Sequence, residues 1–108
     1  MISGNQIQQQ YNQAEAAIRE AAQRCESTAS VPMDLKDCIQ QLDQQSSQAR
    51  SVIQSQDENR IRECVDQLEE LGDKAKAACE SGGQVDPQLK DAVIQVHEQL
   101  SNLKHQLH

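Results

Sequence analysis

The sequence predicts an all-α protein: an up-down-up-down four-helix bundle built from two copies of one helical hairpin. Three observations carry this. Apolar residues recur at alternating spacings of three and four along four separate stretches. The chain matches itself without gaps at an offset of 54 residues, with 15 identities in 54 positions. Gly and Pro, which a chain of many turns needs, number only six, against nineteen Gln, a good helix former.

The self-match sets the frame for each element. Asn5 meets Asn59, Ile7 meets Ile61, Glu15 meets Glu69, and Cys25-Glu26-Ser27 meets Cys79-Glu80-Ser81. Leu35-Lys36-Asp37 meets Leu89-Lys90-Asp91 in the same register. Residues 1–108 are therefore read as one helical domain with an internal duplication, 1–54 and 55–108. The first helix carries the stripe Ile7, Tyr11, Ala14, Ile18, Ala21, Cys25, and its copy carries Ile61, Val65, Leu68, Gly72, Ala75, Cys79. The second carries Leu35, Ile39, Leu42, Ser46, Ala49, Ile53, and its copy Leu89, Val93, Val96, Leu100, Leu103, Leu107. Such spacing keeps one seam facing neighbours in helices packed at shallow angles. No stretch alternates with period two.

Punctuation places the links. Residues 27–32 end the first helix, and Pro32 with Asp34 suits the first turn of the second. Ser81-Gly82-Gly83 stops the third helix, and Asp86-Pro87 reads as an N-cap followed by Pro at the first helical position. The junction at 54–60 has neither Gly nor Pro. Ser55 with Glu58 could form a capping box, and Asp57 is a second candidate cap. A turn here gives the four-helix bundle. The alternative is three helices with one long central helix, whose thin hairpins would force dimerisation.

Composition narrows function by exclusion. The net charge of −7 repels phosphate, so nucleic acid is not an expected partner. Gln-rich and acidic polar faces disfavour anionic lipid, so no membrane is expected. The Met-Ile-Ser-Gly-Asn-Gln start is neither basic nor apolar and reads as no signal peptide, which favours a cytoplasmic location. A periplasmic or secreted location follows if a leader has been removed.

Four cysteines are the residues that could carry chemistry, yet no Cys-x-x-Cys pair occurs. Cys64 and Cys79 share one helix about 22 Å apart, too far to bond. The bland reading makes Cys25 and Cys79 small buried apolar side chains on the core stripes. In an oxidising compartment the favoured disulfide is Cys25–Cys38, closing a loop of about 13 residues and adding roughly 3 kcal/mol. In a reducing compartment all four stay thiols.

His97, His105 and His108 all fall on the fourth helix, the last two at a terminus expected to fray. Neither Glu-x-x-His nor His-Glu-x-x-His occurs, so no metal and no other cofactor is expected. No nucleophile elbow or phosphate loop is present, and adjacent Glu69 and Glu70 read as a solvated face, so no enzyme is expected. Gly72 takes the place of Ile18 in the stripe at a helix-propensity cost of about 1 kcal/mol. A close helix approach explains it, or a groove for a partner. With Leu71 and with Ile94, which replaces polar Gln40, it makes a candidate binding face. Residues 55–108 hold eleven acids and six bases, net −5, against −2 for residues 1–54.

The function expected is non-catalytic: a small acidic helical protein working through protein–protein interaction, as adaptor, chaperone-like factor or structural subunit. The alternative is a thiol-based metal carrier or redox sensor using Cys25 with Cys38 or Cys79. A homodimer is expected as well. The seam of helix one (Ala14, Ala17, Ala21, Ala22) and Ser46 and Ala49 of helix two bury little, and pairing two chains there would add area.

Overall fold

Each apolar stripe becomes the inward face of one helix. The computed structural model describes residues 4–29, 31–81 and 85–107, of which 91% are helical. The elements are α1 (Gly4–Ser27), α2 (Met33–Gln54), α3 (Glu58–Ser81) and α4 (Pro87–Leu107). Helix α1 packs on α2, α2 on α3, α3 on α4 and α4 back on α1, a closed ring in which the backbones of diagonal helices stay apart. The bundle measures 40 × 20 × 17 Å, as expected for helices of about 32–36 Å at 1.5 Å per residue.

All six stripe positions on every helix are buried, Ser46 and Gly72 included. Ala17, Leu71 and Ala92 widen the buried faces beside the stripes. The aliphatic residues contribute roughly 1.5–3 kcal/mol each, so the second hairpin, with its longer side chains, supplies the thicker half of the core.

The junction between the hairpins is a turn, and there is no continuous central helix. Ser55 closes α2 in helical conformation, its N–H donating to the Ser51 carbonyl at 3.0 Å. Gln56 then takes φ 61°, the left-handed geometry that terminates a helix. Asp57 caps α3: its Oδ1 accepts from the Asn59 and Arg60 amides at 3.2 and 3.4 Å, and its carbonyl accepts from Ile61 at 2.9 Å. Of the two candidate caps, Asp57 does the work, while the Ser55 hydroxyl turns back to the Val52 carbonyl.

A glutamine in left-handed conformation crowds its own Cβ, at a cost of about 1–2 kcal/mol. Gln56→Gly removes that strain but frees the unfolded chain, which offsets about 0.4–1 kcal/mol. The expected net result is stabilisation of up to about 1 kcal/mol, seen as a melting temperature a few degrees higher. An unchanged or lower melting point would mean that Gln56 relaxes out of this conformation.

Two other ends refine the sequence reading. Helix α2 begins at Met33, so Pro32 sits one position outside it as the N-cap, its carbonyl accepting from Lys36 at 3.0 Å. Pro32 offers no side-chain acceptor, and Asp34 supplies the first-turn negative charge. Helix α4 begins at Pro87, and the Asp86 carbonyl accepts from Lys90 at 2.9 Å, as the Asp-Pro signal predicts. Gly82, Gly83 and His108 lie outside the described residues.

Candidate functional site

The candidate binding face divides between inside and edge. Leu71 is 7% exposed, Gly72 is buried, and Ile94 is half-buried. A Cβ on Gly72 would meet Leu100 Cδ1 at 3.4 Å and the His97 Cα at 3.7 Å. The glycine therefore serves a close approach between α3 and α4, and the space above it is filled by Leu100 instead of forming an open groove.

The Ala-rich faces considered for pairing two chains are likewise used within one. Ala14, Ala21, Ser46 and Ala49 are 0–1% exposed and Ala17 is 9% exposed. Met33, at 70%, is the large apolar side chain left exposed among the described residues.

All four cysteines are free thiols: Cys25 and Cys79 are buried, and Cys38 and Cys64 are half-buried. Burial pushes each thiol above its ordinary pKa, with Lys36, Lys74 and Lys90 opposing it weakly at Cys25, Cys38 and Cys79. A raised pKa depletes the thiolate, the form that attacks disulfides and binds metals.

Two polar clusters escaped the sequence reading, and they are repeat equivalents of one another. Between α1 and α2, the Glu15 side chain is only 9% exposed. Arg50 Nε donates to both its carboxylate oxygens at 3.0 Å, and Arg50 Nη2 donates to Oε1. Arg19, one turn on, donates to Oε1 at 3.0 Å. Nearby, the Tyr11 hydroxyl donates to the Ser46 carbonyl. Between α3 and α4, Glu69 stands where Glu15 does, and Lys104 where Arg50 does, with Lys104 Nζ 3.3 Å from Glu69 Oε2. The other two positions differ. Arg19 is replaced by Asp73, and Asp43 by His97, whose Nε2 bonds Asp73 Oδ1 and lies 3.9 Å from Glu69 Oε1. The ligand atoms of Glu69, Asp73 and His97 all lie within 4.8 Å of one another, the one such trio among the described residues. Each cluster is an α-helical pair i, i+4 facing a residue on the next helix, and a carboxylate and a cation 35 apart in both copies was the signal available in the sequence.

The electrostatics of Glu15 yield a pH prediction. Hydrogen bonds from Arg50 hold its carboxyl below the usual range, the charges of Arg50 and Arg19 assist, and burial opposes. The folded pKa lies below the unfolded value of about 4.3. Its stabilisation is thus complete above that value and is lost as pH falls through the folded pKa. Glu15→Gln is expected to flatten the acid limb of stability, so that urea midpoints at neutral and acidic pH differ less than in the wild type. Parallel acid limbs in the two proteins would contradict this.

No described helix is long and apolar enough to cross a membrane. Neither a family model, nor a curated protein, nor a solved structure matches the chain.

Proposed function

We propose that this protein is a non-catalytic helical module that acts by binding another protein through its polar, acidic outer surface. One observation carries the reading: the apolar stripes are consumed in closing the bundle, so recognition falls to charged and amide groups. Exposed Glu63, Glu70, Asp91 and Glu98 lie on α3 and α4, the hairpin with net charge −5. A partner with a basic face suits such a surface, and charge complementarity would speed the encounter and set specificity more than raw affinity. The proposal does not rest on self-association, since Ala14, Ala17, Ala21, Ser46 and Ala49 are buried within one chain. The thiol-based alternative draws no support from thiols whose pKa burial raises.

The test is capture from an extract of the natural source at low and high salt, with wild type and with Glu63→Lys/Glu70→Lys/Glu98→Lys. A partner retained at low salt and lost on charge reversal supports the proposal. Capture of the same proteins by the reversed variant, or of none by the wild type, defeats it.

A further inference from the structure

We propose that Glu69, Asp73 and His97 form a binding site for a first-row divalent cation of the zinc type. The site is independent of the protein-binding surface above. It combines one imidazole from α4 with two carboxylates one turn apart on α3, and a cation bound there would tie the two helices together.

Geometry comes first. Zinc holds N and O ligands at about 2.0–2.2 Å, so two ligand atoms on one ion can be no more than about 4.4 Å apart. The His97–Glu69 separation is 3.9 Å and His97 bonds Asp73 directly. The three ligand atoms lie within 4.8 Å of one another, and Asp73, with its side chain 56% exposed, is free to rotate off His97 to admit an ion. His97 needs no movement of the backbone. The Gly72 approach already sets its Cα against α3, and its side chain is 20% exposed.

Charge supplies the second argument. Carboxylates at i and i+4 repel one another, and Glu69 and Asp73 are such a pair. The first hairpin is the internal comparison: there Arg19 occupies the position of Asp73 and neutralises Glu15. In the second hairpin that guanidinium is gone, an imidazole faces the pair, and Lys104 compensates Glu69 alone. The two substitutions that separate the copies turn a closed ion-pair cluster into a set of donors without enough positive charge.

Donor chemistry selects the ion. An imidazole with carboxylates suits Zn²⁺ and its first-row neighbours, whereas Mg²⁺ and Ca²⁺ take oxygen ligands alone. Without a metal, the Asp73 carboxylate accepts from His97, so Nε2 carries the proton. A metal takes the Nε2 lone pair, and the ring proton then resides on Nδ1. The proton moves within the imidazole, and the remaining coordination positions are left to water.

The experiment is calorimetric titration of the full chain with ZnCl₂ in buffer containing excess Mg²⁺, alongside ¹⁵N spectra of the imidazole rings. One equivalent is expected to bind, switching His97 from the Nε2–H to the Nδ1–H tautomer. His97→Ala and Asp73→Arg are each expected to weaken binding at least about tenfold, since even residues that merely support a ligand are worth 10–100-fold. Asp73→Arg restores the residue type of the first hairpin and so is expected to fold, which circular dichroism checks. Lys104→Gln removes a competing cation and is expected to tighten binding. His105→Ala is expected to leave it within about twofold. Binding that survives His97→Ala, as binding through the thiols would, overturns the site. So does equal loss in His105→Ala, or the absence of any His97 tautomer change at millimolar Zn²⁺.

Discussion

Leu100→Ala is expected to cost about 4–5 kcal/mol, the top of the range for buried leucines. That is most of the stability of a marginal domain, which totals about 5–15 kcal/mol. Leu100 is 0% exposed and fills the space over Gly72. Truncating it leaves a cavity whose α3 wall has no side chain to move in, so the site cannot collapse as others can. The repeat equivalents of Gly72 and Leu100 are Ile18 and Ser46, so the two hairpins appear with large and small residues exchanged across the seam. Gly72→Ile alone should overpack and destabilise by at least about 1–3 kcal/mol. Combined with Leu100→Ala, it is expected to cost less than the sum of the two, with a coupling of at least about 1 kcal/mol. Urea unfolding followed by far-UV circular dichroism measures all three variants. Strict additivity, or a Leu100→Ala cost under about 2 kcal/mol, would show that the two positions do not share one packing volume.

That exchange also explains how much could be read in advance. The helices and the core were legible because an alternating three–four spacing has one physical use, and all 24 stripe positions face inward. The turn at 55–57 was harder, because it rests on Gln56 adopting a conformation that glutamine rarely takes. Its reason lies in tertiary packing: α2 and α3 must fold back on each other to bury both faces. The buried Glu15 was not legible at all by periodicity, since its neighbours Ala14 and Ile18 already account for the stripe. In the sequence Glu69 reads as part of a solvated face and His97 is only placed on the fourth helix, while Asp73 draws no notice. Bringing them together requires knowing that His97 faces positions 24 and 28 residues earlier across antiparallel helices, which becomes evident only once the hairpin exists.

Tyr11→Ala is expected to cost about 3–5 kcal/mol, as deletion of a buried ring does. Tyr11 is the only aromatic residue of the chain and is 1% exposed. The ring contributes the bulk that Ser46 does not, and Ser46 cannot move in, because its hydroxyl is bonded to the Asp43 carbonyl at 2.8 Å. Tyr11→Phe separates the ring from the hydroxyl. It keeps the volume and removes one donor from a carbonyl inside α2 that retains its helical partner, so about 1 kcal/mol is expected. The hydroxyl has a further signature at high pH. Burial, then the Glu15 charge, pushes the phenol well above its ordinary pKa. A folded value above the unfolded one means the stabilisation is complete below about pH 10 and is lost as pH rises beyond it. The four thiols add an alkaline slope of the same sign, present in both proteins, so the difference between wild type and Tyr11→Phe isolates the phenol. Wild type is expected to lose stability more steeply above about pH 10 than Tyr11→Phe, with tyrosinate absorbance rising together with unfolding. Ionisation of Tyr11 in the folded protein at its ordinary pKa would show that the ring is not sealed between α1 and α2.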